Sequence, residues 1–318
     1  MRNLRYFEQV ARGGSIRKAA DRLHIAASAI SRSIAQLEYE LGVELFDRAA
    51  RGMVLTPAGE IYLRYARSTL LDVERVRSEL DSLRGLQSGH VRIASIEGMT
   101  ADFIIQTICE FRAQYPRILF ELHVAPSSAV TKSVRSRETD IGITASTDTG
   151  AGVEIAERIE EKLLAVMSPD HPLAQAKIGL FDLLSSENIA VPDTNSAIRE
   201  QLDAFCRREQ LVLRPALVTN SISALRAFAR LGGGVIFLPR LAFRADLAAG
   251  RLIGRDIEGE QMPTATIDIC IPAGWRLSLA AVTFLSFLQV ETRKLIDLHE
   301  LGGTTALPPV KGLPKGTS

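Results

Sequence analysis

The chain has 318 residues, of which 46% are hydrophobic and 24% charged, with a net charge of +1. This length suits about two domains, and the composition is that of a soluble globular protein. A chain-wide basic field is excluded, so nucleic-acid binding has to come from charge concentrated locally. Cys109, Cys206 and Cys270 lie far apart, which argues against a disulfide framework and for a reduced, cytoplasmic setting. No early apolar run has signal-peptide form, and none approaches the roughly 20 residues of a membrane span.

Residues 3–12 place Leu4, Phe7, Val10 and Ala11 on one helical face, and Gly13-Gly14 ends that helix. The stretch Ser15 to Glu38 predicts two short helices joined by a tight turn. Ser15 is a natural N-cap, Ala19, Ala20 and Leu23 share one face, and Ile25 marks the turn. Ile30, Ile34 and Leu37 then form one buried stripe. The opposite face carries Ser28, Ser31, Arg32, Ser33 and Gln36, donors and acceptors suited to the major groove. An ordinary helical hairpin with a solvated polar face has the same pattern. Val43 to Phe46 and Met53 to Leu55 predict a two-stranded wing around a small-residue loop, with Arg48 and Arg51 at its tip able to reach phosphate or minor groove. Up to Gly59 there are nine basic side chains against six acidic ones, so the basic excess sits here.

Taken together, Leu4 and Phe7, GSIRKAADRLHI, AISRSIAQLE, LGVELFDR and LTPAGE resemble the DNA-binding domain of LysR-type transcriptional regulators. The resemblance implies a winged helix-turn-helix over residues 1–58. Its expected contacts to double-stranded DNA are Ser15, Lys18, Ala27, Ser28, Ser31, Arg32, Ser33, Arg48 and Arg51. One departure matters. Where the family commonly has Ser-Gln-Pro at the start of the recognition helix, this chain has Ala26-Ala27-Ser28, which removes the usual cap and a glutamine able to bond a base.

Thr56-Pro57 opens the next helix, with threonine as N-cap and proline first inside. Tyr62, Ala66, Thr69, Val73, Val76, Leu80 and Leu83 repeat at alternating four and three, a narrow heptad seam that wants a partner helix. Packing on its own domain is the alternative. In the family such linker helices pair two subunits, which implies dimerisation through Tyr62, Ala66, Val73, Val76, Leu80 and Leu83. Gly85, Ser88 and Gly89 are expected to break the helix and form a hinge, closing a linker over residues 59–89.

From Val91 onward short apolar strands alternate with helices, the pattern of a parallel sheet with crossover helices. Strands are expected at 91–96, 118–124, 140–144, 163–167, 189–191, 216–219, 235–238 and 267–271. Helices are expected at 101–115, 129–136, near 180–184, and at 197–209, 222–231 and 279–290. MSPDHPLA and GGGVIFLPR are similar to what the same family carries at these places. The implied fold class is α plus α/β: the winged helix-turn-helix, the long linker helix, and a two-lobed effector domain of the periplasmic-binding-protein-like type over 90–296. Lobe I is expected at 90–161 and 265–296, lobe II at 162–264, and a disordered tail, rich in glycine and proline, at 297–318.

In open α/β sheets ligands collect outside the carboxyl ends of strands, where helix starts offer N–H groups. That selects Glu97, Gly98, Met99 and Thr100; Ser127 and Ser128; Thr194, Asn195 and Ser196; and Asn220 and Ser221. By resemblance these line the cleft where family members bind small co-inducers. Thr100, Ser128, Ser196 and Asn220 are equally suited to capping their own helices. Glu97 and Asp102 together weaken the pull of their helix start on an anion, so the expected effector is no simple dicarboxylate and offers a hydroxyl, amide or amine to Glu97.

Catalysis finds little support. The five histidines have no ligand spacing, no GxSxG or Walker sequence occurs, and Gly232-Gly233-Gly234 runs from helix into strand, as a helix end does. A redox-sensing regulator is the closer rival, because Arg207 and Arg208 follow Cys206 and would lower its thiol pKa; Cys109 is expected on a buried face. A purely architectural DNA-binding protein would not need the second half of the chain. The expectation is therefore effector-gated control of transcription with no metal or organic cofactor. The expected partners are DNA, a small molecule, RNA polymerase and further copies of the chain as homodimer and homotetramer, with no membrane.

Overall fold

The computed structural model describes residues 1–49, 52–82, 88–145, 150–175, 179, 188–257 and 262–300. They form two compact units, one built on the chain up to Ser88 and one beginning at Gly89.

The first unit runs α1 (Arg2–Gly13), α2 (Ile16–Leu23), α3 (Ala27–Leu41), β1 (Phe46–Ala49), β2 (Gly52–Leu55) and α4 (Pro57–Ser82). One apolar core holds it, built from Leu4, Phe7 and Val10 of α1, Ala19 and Ala20 of α2, Ile30, Ile34 and Leu37 of α3, then Leu45, Phe46 and Ala66. Phe7 is its centre. The Phe46 ring lies 4.9 Å away and Tyr62 meets Phe7 edge-on at 4.8 Å; burying a side chain of this size contributes about 1.5–3 kcal/mol. The ends of the helices follow the sequence logic. Gly14 closes α1 at φ 60, and the Ser15 hydroxyl accepts the Lys18 N–H at 3.4 Å to open α2. Ala26 opens α3 without a side-chain cap. β1 and β2 pair antiparallel from Phe46–Leu55 to Ala49–Gly52. The wing strands thus start at Phe46 and Val43 stays outside, 45% exposed.

The second unit contains two five-stranded sheets. The first has the order β4 (Ile118–Val124), β3 (Gly89–Ser95), β5 (Ile141–Thr144), β12 (Thr264–Pro272), β6 (Val153–Lys162). The second is β11 (Ile253–Arg255), β7 (Leu164–Met167), β10 (Val235–Leu238), β8 (Ile189–Pro192), β9 (Leu217–Thr219). Each sheet with its helices makes one lobe, called I and II here. The chain enters lobe II after β6 and returns through β12. The helices are α5 (Glu97–Met99), a π-type turn (Thr100–Ile104), α6 (Ile105–Gln114), α7 (Ser127–Arg135), α8 (Ala197–Arg208), α9 (Ile222–Arg230), α10 (Arg244–Ala248) and α11 (Leu279–Glu300).

Several expectations need correcting. The sheets are mixed: β3 pairs β4 and β5 in parallel, but β12 runs antiparallel to both β5 and β6, and β7 antiparallel to β10 and β11. In the first sheet the antiparallel member is the return strand β12, which enters from the opposite end. The ten-residue β6, VEIAERIEEK, was hidden by its charges; as an edge strand it is free to expose them. Gly89 is the first residue of β3, paired with Ile118, so it belongs to a sheet and not to a hinge. Gly85 lies outside the described residues, as does the helix expected near 180–184. The final helix runs to Glu300, past the expected start of the tail at 297; the rest of that tail is also outside the described residues.

Buried carboxylates brace the sheets. Asp268 in β12, with no exposed surface, receives a two-pronged grip from Arg158 of β6 at 2.7 and 2.8 Å. Asp140, just before β5, takes Arg92 of β3 in the same way and also its backbone N–H.

Candidate functional site

The expected DNA-reading face is largely open. Lys18 on α2 and Ala27, Ser28 and Arg32 on α3 are exposed, and Ser31 is half-buried. Gln36, on the same helix, donates to Glu40 at 2.9 Å. Ser15 acts as the α2 cap. Ser33 is a correction: its hydroxyl is shielded from solvent and has no hydrogen-bond partner, so it is not presented to a base edge. The helical period explains this, because Ser33 adjoins the inward Ile34 and Ile30 stripe. Arg48 belongs to β1, but nothing is described of its side chain, and Arg51 lies outside the described residues. Sequence reasoning missed Glu38, whose carboxylate accepts the Leu45 and Phe46 N–H groups at 2.8 and 3.2 Å and ties the entry of the wing to α3. A glutamate among helix-surface charges gives no signal of that job.

On α4 the seam splits. Ala66 is wholly buried in the core of its own unit, and Tyr62 and Leu70 pack against that core. Burial pushes the Tyr62 hydroxyl above its ordinary pKa, with smaller contributions from Tyr65 and Glu40. Tyr62 and Ala66 are therefore contacts within the chain. Val76 is 48% exposed, while the side chains of Leu80 and Leu83 fall outside the described ones.

Of the expected effector residues, Glu97 and Ser221 meet across the two lobes of the second unit. Here the helical segment after β3 starts at Glu97, four residues earlier than expected. In a regular α-helix Glu97 and Asp102, five apart, point about 140° from each other. The π-type turn from Thr100 to Ile104 widens the helix, and both carboxylates meet lobe II. Glu97 Oε1 accepts from the Ser221 hydroxyl at 2.9 Å and the Ser223 N–H at 3.0 Å, and Oε2 accepts from the Ile222 N–H at 3.0 Å. Burial alone would raise the Glu97 carboxyl, but these hydrogen bonds outweigh it and hold the group below the usual glutamate value. The expectation that Glu97 offers its charge to an effector needs revision, since its oxygens already carry three donors from α9 and its cap.

Asp102, mostly buried, accepts the Ala245 N–H at 3.0 Å and pairs with Arg226 at 2.9 Å. Arg226 in turn reaches Asp246, which is wholly buried and also holds Arg230 and Arg251. Burial opposes the Asp246 charge, yet the arginines prevail and lower its pKa. A third lobe I carboxylate, Glu161 of β6, accepts the Leu241 N–H at 3.0 Å.

Of the other expected effector residues, Met99 is buried, and the Thr100 hydroxyl donates back to the Ile96 carbonyl at 2.9 Å. Ser127 accepts the Ala145 N–H at 3.3 Å, Ser128 is exposed, and Ser196 opens α8 without a side-chain cap. Thr194, Asn195 and Asn220 are the loop residues beside them, and the Asn195 N–H donates to Asp193 at 3.1 Å. Ser221 caps α9 by accepting the Ala224 N–H at 3.2 Å.

Cys206 is buried, and its pKa is raised, by burial first and by Asp203 second, in spite of Arg199 and Arg207. The reactive thiolate that the rival redox reading needs is not favoured, because Cys206 packs in the lobe II core. Cys109 is exposed, contrary to expectation, as Ile108 and Phe111 take the inward face. Burial pushes the Cys270 thiol up to about 12. Among the described residues no cluster of His, Cys, Asp and Glu suits a metal ion, and no helix is long and apolar enough to cross a membrane.

Known proteins share this architecture. Residues 1–60 match the bacterial regulatory helix-turn-helix protein family, lysR type, and residues 84–293 the LysR substrate binding domain. The RuBisCO operon transcriptional regulator of Allochromatium vinosum is 27% identical over 295 residues, covering 93% of this chain and 97% of its own. A full-length OxyR variant of Pseudomonas aeruginosa superposes with a TM-score of 0.68 at 22% identity, over 92% of this chain and 93% of its own. Full-length CbnR in complex with its target DNA gives 0.63 at 21% identity, over 91% and 98%. With both halves matched in order and a winged helix-turn-helix ahead of a two-lobed α/β domain, the chain belongs to the LysR family of DNA-binding transcriptional regulators that carry an effector-binding domain.

Proposed function

We propose that this regulator reads DNA with the exposed edge of α3, using Ala27, Ser28, Ser31 and Arg32 for the major groove and Lys18, Arg48 and Arg51 for the backbone. We further propose that a small molecule bound between lobes I and II sets its activity. The observation that carries the second part is the meeting of the lobe I helix start at Glu97 with the lobe II helix start at Ser221. A ligand there touches both lobes and biases their angle. The loops at Ser127 and Ser128 and at Thr194 to Ser196 supply further hydroxyl and amide groups.

The angle passes to α4, and the heptad positions Val73 and Val76, continued in the sequence by Leu80 and Leu83, pair two chains. Two such dimers form a tetramer on adjacent half-sites and present the promoter to RNA polymerase in the cytoplasm. The working domain limits are 1–58 for the DNA-binding domain, 59–88 for the linker and 89–300 for the effector domain. The relatives are regulators, and the chain is taken as a regulator with no enzymatic step. Genome-wide footprinting of the protein tests this: discrete promoter sites whose occupancy or footprint length changes with a metabolite support it, and uniform, sequence-blind coverage refutes it.

A further inference from the structure

The first-turn N–H groups of a helix have no partner inside the helix and favour an anion. At α9, nine residues long, those of Ile222 and Ser223 together with the Ser221 hydroxyl converge on one point, and the carboxylate that fills it comes from the opposite lobe. The two lobes lie within ordinary van der Waals reach of each other beside this point. A Cβ on Gly98 would stand 3.6 Å from Ala242 and 3.8 Å from Ile222, both in lobe II. The same helical segment adds Asp102 on Arg226 and the Ala245 N–H, so one wall of lobe I grips lobe II at two places.

We propose that Glu97 is a tethered anion latch: it occupies the α9 helix start as a bound carboxylate would, fastens lobe I to lobe II, and bars acidic effectors from that point. This rests on the reading of the cleft as the effector site and deepens it. An effector engages the α9 start through neutral groups, or displaces Glu97 and frees the lobes to rotate. Either way the regulated angle is set against a contact made by the chain itself.

Replacing Glu97 by alanine deletes a CH2 and a carboxylate, which acetate can restore. The full-length Glu97→Ala protein is expected to unfold at lower temperature than wild type in chloride and to regain stability saturably in acetate at matched ionic strength, while wild type does not respond to acetate. Amide exchange at Ile222 and Ser223 should rise in the order wild type, Glu97→Gln, Glu97→Ala, by about tenfold at the end of the series, as loss of a charged hydrogen bond implies. Equal acetate responses in wild type and Glu97→Ala, or unchanged exchange in Glu97→Gln, overturn the latch. The glutamine variant keeps the volume of the side chain and decides the matter if the alanine variant does not fold. Neither readout uses effector or DNA, so failure of the latch and failure of the effector site are distinguishable.

Discussion

The carboxylate of Glu38, on the last turns of the recognition helix, accepts the Leu45 backbone N–H at 2.8 Å, and the neighbouring Phe46 N–H at 3.2 Å shares the same oxygen. Leu45 is 1% exposed, so water is poorly placed to replace the lost acceptor. Glu38→Ala should destabilise the N-terminal unit by about 1–3 kcal/mol, the cost of orphaning buried donors. Glu38→Gln, which keeps a carbonyl oxygen, should recover part of that loss. Urea unfolding of the three proteins checks the ordering; an alanine variant as stable as wild type would show that the wing is held by its apolar contacts alone.

Gly59 sits where α4 crosses the chain entering the wing. A Cβ there would stand 2.0 Å from the Leu45 carbonyl oxygen, a backbone atom that cannot step aside without moving the Thr56 cap, whose N–H donates to that same carbonyl at 3.1 Å. Gly59→Ala should therefore lower stability by several kcal/mol, whereas at an exposed helix position glycine-to-alanine normally stabilises. Thermal unfolding and operator binding should fall together.

Arg32 and Ser33 are neighbours with opposite fates. Arg32 is exposed on α3, so Arg32→Ala should weaken operator binding and, if the contact is to phosphate, lower the salt slope by about one, with no change in unfolding. The Ser33 hydroxyl is buried without a partner, so Ser33→Ala should leave DNA affinity unchanged and stability equal or raised by up to about 1 kcal/mol. Fluorescence anisotropy on labelled operator, run beside urea unfolding, separates the two. Reduced affinity for Ser33→Ala would return that residue to the reading face.

What the sequence shows of this protein is what local pattern determines. The Ile30, Ile34 and Leu37 stripe, the Ser15 cap and the strand at Val235–Leu238 are each decided by residues within one element. Strand β6 is not legible in the sequence because an edge strand tolerates charge on its open side, and strand direction is not legible because it depends on the route of the chain, not on alternation. At the cleft, residue types at helix starts pointed to Glu97 and Ser221 separately. That they bond each other, 124 positions apart, required the fold. The inward turn of Ser33 and Cys206 is a matter of helical phase, where one residue is about 100°.

Cys206 supplies a test of the redox alternative. Its thiol is buried in the lobe II core and its pKa is raised, whereas a reactive cysteine needs thiolate character and access. Cys206→Ser should leave operator binding and its response to peroxide unchanged. Peroxide-dependent DNA binding that the serine variant abolishes would overturn this.

Glu97 makes stability depend on pH in a defined direction. Its folded pKa lies below the ordinary value, so the unfolded chain takes up the proton first on acidification. The contribution is then fully present above the ordinary glutamate pKa of about 4.3 and is lost as pH falls through the lower folded value. Glutamine does not titrate. The gap in unfolding midpoint between wild type and Glu97→Gln should accordingly be widest near neutral pH, hold nearly constant down to about pH 5, and narrow as pH falls past the ordinary glutamate value towards the lower folded one. Asp246, also lowered and gripped by Arg226, Arg230 and Arg251, remains in both proteins and cancels in the difference. Scanning calorimetry at matched ionic strength, run from neutral pH down past the ordinary glutamate value of about 4.3, measures the gap; one that does not narrow at all on acidification would mean Glu97 contributes packing and no charge.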